Sequence, residues 1–265
     1  MRFLALLLGA VLLACGQEVR SDRFVSGSWV DLSHDFSSET IYWPTGKRFT
    51  LEVVSAEVTP AGYYYAANNF SAAEHGGTHL DAPVHFAEGK HTADRIPLDR
   101  LVGPAIVVDV SRPAETNPDY LVDAAALEEW EREHGRIPPD AIVLIRTGWS
   151  ARWPDPARYL GTTKPGAAGV AELHFPGLDS TAAHLLSAER RVKAVGIDTP
   201  SVDYGQSTAF LAHRILFAEN IPAFENVANL ERLPATGSFV IALPMKIRGG
   251  SGGPLRIVAV LPAAE

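Results

Sequence analysis

Between Glu74 and Phe86 the chain reads Glu-His-Gly-Gly-Thr-His-Leu-Asp-Ala-Pro-Val-His-Phe, which puts His75, His79, Asp81 and His85 within eleven residues. Imidazole nitrogen and carboxylate oxygen are the donors that Zn²⁺, Mn²⁺ or Fe²⁺ takes when no thiolate is on offer. The single cysteine, Cys15, lies in the N-terminal segment, so a metal site here is built from nitrogen and oxygen. His79 and Asp81 are two apart, and on an extended backbone both side chains leave by one face. His75 precedes a Gly76-Gly77 turn that can fold it back toward that face, and His85 follows Pro83, where the chain can bend round the same point. In a chain with nine histidines, this density favours a metal or catalytic site over unrelated structural side chains. Thr78 either orients a ligand or closes the turn.

The elements that must hold this segment alternate between strand and helix. Ser28 to Leu32 and Phe49 to Thr59 have strand character, Tyr42 to Gly46 reads as a turn or loop, and Tyr63-Tyr64-Tyr65 either lines the pocket or covers the sheet. Val102 to Val110, Ala141 to Thr147 and Val192 to Ile197 are apolar runs of the kind buried on both faces of a sheet. Asp123 to Glu133, Ser180 to Arg190 and Ser207 to Ala218 have helical periodicity. Phe239 to Pro244 and Leu255 to Leu261 are expected to pair across the turn that holds Gly249, Gly250, Gly252 and Gly253. That turn lacks the strand-loop-helix context and the downstream lysine of a phosphate loop. No G-x-S-x-G elbow is present, which argues against a serine nucleophile of the α/β-hydrolase kind.

With 265 residues, 46% of them hydrophobic, the chain suits one large globular domain. A net charge of -8 and the absence of a basic run argue against nucleic acid as a partner. Arg2 is followed by an apolar run of about a dozen residues, too short to span a bilayer and typical of an export signal. Its end, Leu12-Leu13-Ala14-Cys15, resembles the lipobox of bacterial lipoproteins. The expectation is a signal over residues 1–15, a polar linker over 16–27 and a single domain over 28–265, exported and lipid-anchored at Cys15, facing the periplasm or exterior.

A complete metal sphere needs donors from elsewhere. His213, in a helical stretch, and Glu225, in a short apolar segment, are candidates. Asp198 is a third, because open α/β sheets gather functional groups at strand C-termini, and a role in holding a ligand histidine or a water fits it. Trp43 is either a pocket wall or core.

The pattern His75-x-x-x-His79-x-Asp81-x-x-x-His85, with Gly77-Thr78 and Pro83 in their places, resembles the signature of the cyclase family of metal-dependent hydrolases. That family includes bacterial kynurenine formamidases and isatin hydrolases, and the resemblance runs from about Val30 to Pro262. It implies an α/β fold of the swivelling β/β/α type, a mixed sheet with flanking helices. It also implies a first zinc on His75, His79 and Asp81, with Asp81 bridging to a second, and His85 as acid/base. His213 and Glu225, twelve residues apart, match the pair that completes the second site. Trp43 corresponds to the tryptophan set against an aromatic substrate. The cofactor implied is one or two divalent ions, Zn²⁺ first and Mn²⁺ as the alternative. The implied partners are a small-molecule amide and further copies of the chain, as a homodimer or larger. The leading activity is arylformamidase. The alternatives are hydrolysis of a cyclic amide such as isatin, and a non-catalytic metal-binding surface lipoprotein.

Overall fold

The computed structural model describes residues 27–261. The expected export signal, lipobox and all but the last residue of the linker lie outside the described residues. Among the described residues, no helix is long and apolar enough to cross a membrane.

Apolar, partly β-branched runs make the strands β1 (Trp29–Asp31), β4 (His79–Asp81), β5 (Val102–Asp109), β7 (Ile142–Arg146), β9 (Ala194–Ile197), β10 (Ala223–Glu225), β11 (Ser238–Pro244) and β12 (Gly252–Val260). They form one mixed sheet in the order β1-β12-β11-β5-β7-β9-β10-β4, and β4 also pairs with β12, so the sheet closes on itself. β5, β7, β9 and β10 run parallel, whereas β11, β12 and β4 join antiparallel. Two further peripheral pieces are the hairpin β2 (Thr50–Val58) with β3 (Tyr64–Ser71), and the two-residue pair β6 (Leu121–Val122) with β8 (Gly177–Leu178).

Strand alternation divides the core into two clusters. Leu80, Val107, Leu144, Ala194, Phe224, Val240 and Ile257 point into the closed sheet. Their neighbours Ile106, Val108, Val143, Ile145, Val195, Ile197 and Ala223 point outward against helices. Each Val, Leu, Ile or Phe among them contributes roughly 1.5–3 kcal/mol by leaving water, and burial on both faces is why these strands read as continuous apolar runs. The helices on the outer face are α1 (Ala124–His134), α2 (Ser180–His184, continued as a π-helical turn over Leu185–Arg190) and α3 (Leu211–Ala218). Asp123 caps α1 by accepting from the amide of Ala126, and the Trp130 indole of α1 donates to the Val107 carbonyl of β5. Of the expected helix over Ser207 to Ala218, only α3 forms, because Ser207 to Phe210 turn before it.

The β2–β3 hairpin differs from expectation. Tyr63, Tyr64 and Tyr65 neither line a pocket nor cover the sheet; all three are exposed on the hairpin. A bulge between Val53 and Ser55 shifts the register by one residue. It keeps Leu51, Val53, Ala56 and Val58 on the same face as Tyr64, Ala66, Asn68 and Phe70. Glu52, Ser55, Glu57 and Asn69 take the other face together with Tyr65 and Ala67, so the first face is the more apolar of the two, and it lies in solvent.

Candidate metal centre

β4 positions the centre. It lies between β10 and β12, with Glu225 directly opposite His79 and Phe224 opposite Leu80. Leu80 and Phe224 enter the core, so His79, Asp81 and Glu225 share the outer face, as period-two alternation requires. Gly77, at φ 58°, turns the chain into β4, and Pro83 opens the short 3-10 turn Pro83–His85 that brings His85 round. α3 packs over this face and supplies His213.

The polar atoms converge. His79 Nε2 lies 3.0 Å from Asp81 Oδ1 and 3.3 Å from Glu225 Oε2, and His213 Nε2 lies 3.2 Å from both Asp81 Oδ2 and Glu225 Oε1. His75 Nδ1 is 2.7 Å from Asp81 Oδ1. His85 stacks on His75 with centroids 3.9 Å apart. Two donor sets, His75–Asp81–His85 and His79–Asp81–Glu225, each have their donor atoms within 4.8 Å of one another and share Asp81.

Burial alone would raise carboxylate pKa values and lower those of imidazoles. Here the mutual attraction of the groups wins. Asp81 is held well below its usual range by His75, His213 and His79, and Glu225 is also lowered, by His213 and His79. Against its own burial, His79 is pushed up to about 10 by Asp81 and Glu225, and His213 is raised well above its usual value by Asp203, Asp81 and Glu225. His85 behaves oppositely. Burial takes it down to about 4, although part of its surface opens on the cavity, so it is neutral at pH 7.

The donors fit a divalent ion. His79 Nδ1 donates to the Gly77 carbonyl at 2.9 Å, which leaves Nε2 as the nitrogen that faces the centre. That Nε2 is buried between two carboxylate oxygens, 3.0 and 3.3 Å away, and its proton is what holds the three groups together in the metal-free protein. A nitrogen facing two carboxylates is a donor set that a shared cation would stabilise in place of that proton.

Asp203 is the residue that the sequence reading missed. Its carboxylate accepts from the amides of Ala212 and His213, capping α3, and from His213 Nδ1 at 2.6 Å. Asp198 therefore needs correction. Its side chain holds no histidine; it accepts from the Thr147 amide and hydroxyl and from the Trp149 amide. Asp198 does stand at the end of β9, but it fastens the loop after β7 instead of the centre.

A cavity of about 350 Å³ opens above the cluster. Its walls include Ile41, Tyr42, Trp43, Phe86 and Phe210, with the six clustered side chains at the base. Trp43 stands edge-on to Phe175 at 6.1 Å. Phe210 is held in the left-handed region at φ 49°, a strain of about 1–2 kcal/mol that turns the chain into α3 beside the cavity. Tyr42 and Phe86 adjoin residues singled out in the sequence, whereas nothing local marks Phe210.

The family model named Cyclase, described as "Putative cyclase", matches residues 30–204, a span that contains His75, His79, Asp81 and His85 and stops short of His213 and Glu225. The isatin hydrolase of Roseibium aggregatum is 34% identical over 217 residues, covering 79% of this chain and 80% of that protein. The kynurenine formamidase of Salinibacter ruber is 30% identical over 238 residues, covering 86% and 95%. The solved structure of isatin hydrolase A from Labrenzia aggregata, bound to benzyl benzoate, superposes with a TM-score of 0.80 at 36% identity, covering 90% of this chain and 95% of that one. A closed mixed sheet with outer helices, a nitrogen and oxygen donor cluster at the base of an aromatic cavity, and these matches together establish that the chain belongs to the cyclase family and is a hydrolase.

Proposed function

We propose that the chain hydrolyses the amide bond of an aromatic amide with the help of one or two divalent ions, Zn²⁺ or Mn²⁺, held by His75, His79, Asp81, His213 and Glu225. The observation that carries this reading is the convergence of buried His79 Nε2 with the carboxylates of Asp81 and Glu225, at 3.0 and 3.3 Å, below an aromatic cavity. A divalent ion there would supply Lewis acidity, polarising the carbonyl and bringing the pKa of water toward neutrality. The protein's own groups do the rest. Asp81 and Glu225 fix the charge, Asp203 holds His213 by Nδ1, and the aromatic walls, Trp43 among them, pack against the substrate ring. His85, neutral at pH 7, accepts the proton of the attacking water and returns it to the departing amine.

Two substrates fit this chemistry, because both are acyl–nitrogen bonds to an aryl amine. The formamidase reading, ranked first in the sequence, is supported by the Salinibacter ruber relative, which is covered almost end to end. The cyclic-amide reading is supported by the higher identity to the isatin hydrolases. The hydrolase relatives argue against the non-catalytic alternative. Assayed with the metal-loaded full chain, N-formylkynurenine would release formate and isatin would open to a carboxylate; turnover of neither sinks the aromatic-amide reading. His85→Ala should retain metal and lose about 10²–10⁴-fold in turnover. Unchanged turnover would remove His85 from the proton path.

Metal uptake must displace the proton that the metal-free protein holds on His79, so affinity should rise with pH toward about 10 and binding should release protons. Calorimetry in buffers of different ionisation enthalpy reads this directly. Asp203→Asn should weaken binding by about 10–100-fold. Proton-neutral binding, or an unaltered Asp203→Asn, would contradict the donor set.

For the assembly, we propose a homodimer built on the more apolar face of the hairpin. Leu51, Val53, Val58, Tyr64 and Phe70 are each 56–66% exposed there. They present on the order of 500 Å² per chain, and two copies reach about the 1,000 Å² that a specific interface requires. The pairing continues through the Ala73 amide to the Lys47 carbonyl, beside the cavity residues Gly46 and His75. Sedimentation should find a dimer, and Leu51→Glu with Val58→Glu a monomer that still binds metal. A monomeric wild type at micromolar concentration excludes this interface.

Export with acylation at Cys15 is proposed on the lipobox-like Leu12-Leu13-Ala14-Cys15 alone. Mass spectrometry of the mature N-terminus tests it: a diacylglyceryl-modified Cys15 supports the anchor, and an unmodified terminus elsewhere refutes it.

A further inference from the structure

The glycine-rich turn near the C-terminus is not used by the chemistry above, yet it touches the centre. Ser251 lies within it, and its Oγ is 2.8 Å from His75 Nε2. The same hydroxyl donates to Glu74 Oε2 at 2.7 Å, and the Ser251 amide donates to that oxygen at 3.0 Å. A serine hydroxyl has one proton, and a carboxylate only accepts. With its proton committed to Glu74, Ser251 Oγ accepts from His75, and the ring is protonated on Nε2. Without an ion Nδ1 can only donate to Asp81 Oδ1, 2.7 Å away, so Nδ1 is the nitrogen whose proton an ion between the two would replace.

His75 thus differs from the other two histidines. His79 and His213 spend Nδ1 on protein oxygens, Gly77 O and Asp203 Oδ2, and present Nε2 to the centre. His75 presents Nδ1. The turn's composition fits this use. A Cβ on Gly252 would lie 2.6 Å from His75 Cε1 and 2.5 Å from the Leu80 carbonyl, and one on Gly250 would lie 2.8 Å from Glu74 Oε1. Glycine at these two places lets the turn close over His75 and Glu74. The turn is itself fixed to the segment it serves, by Ala82 N to Ser251 O at 2.8 Å and Ala93 N to Gly250 O at 2.9 Å.

We propose that Glu74 and Ser251 are positioning residues that set the tautomer and orientation of His75, so that it offers Nδ1 to a divalent ion. This rests on the reading that the cluster holds such an ion. The test uses the full chain loaded with Zn²⁺. Long-range ¹H–¹⁵N spectra should show His75 protonated at Nε2 and coordinated through Nδ1; a proton on Nδ1 overturns the proposal. In chelator competition, Ser251→Ala should bind Zn²⁺ about 10–100-fold more weakly, and Ser251→Thr, which keeps the hydroxyl, should recover most of the loss. Glu74→Gln, which can donate to Oγ and free the serine proton to turn toward His75, should mix the two tautomers in the same spectra. Affinity of Ser251→Ala within twofold of the wild type overturns the positioning role while leaving the metal reading intact. A wild type that binds neither Zn²⁺ nor Mn²⁺ overturns the metal reading and this one with it.

Discussion

Two carboxylates, Asp81 and Glu225, are buried side by side, and the arrangement around them answers the cost of putting like charges out of water. Three imidazoles reach Asp81, two of which also reach Glu225. Glu225 accepts in addition from the Val202 amide. Truncating one partner leaves another charge exposed to a low dielectric, so these five residues act as a unit. The sheet makes that unit possible, because the β4–β10 register fixes His79 against Glu225 without any freedom of loop placement.

The division between the two faces of the sheet carries over to function. Inside the closed sheet the packing is apolar and dense. Outside, α3 is the element through which core and centre meet: Leu216 and Phe217 pack into the outer cluster, and His213, on the same helix, turns to Asp81. Asp203 caps that helix with the carboxylate that orients the histidine. Helix stability and ligand orientation are therefore the same hydrogen-bond network, and neither can be changed alone.

Much of this was legible in the chain. The spacing of His79 and Asp81 gives one face of a strand, Gly77 and Pro83 mark the turns on either side, and the apolar runs of β5, β7 and β9 announce strands covered on both sides. The association of His213 and Glu225 with the cluster came from resemblance, because a helix and a strand twelve residues apart have no common period. Asp203 was invisible for a related reason: its contact with His213 depends on how the loop before α3 folds. Asp198 was located at the right end of a strand, but alternation does not say whether a side chain at a strand end turns to the site or to a neighbouring loop. Tyr63, Tyr64 and Tyr65 read as lining the pocket or covering the sheet because aromatic runs usually pack; the hairpin carries them away from the body of the sheet. Ser251 read as part of a turn, and only the folded chain reveals what that turn closes upon.

β12 lends one edge to two partners, β1 at Val258 to Val260 and β4 at Gly252 to Pro254. The donors from residues 75–85 are synthesised early, but the strand that carries His79 and Asp81 is flanked on both sides by chain made much later. Pairing across such separations is slow, because long loops must close before any contact rewards them. The geometry of the centre is therefore complete only when β10 and β12 have both joined β4, so an intact donor cluster is a sign that the sheet has closed.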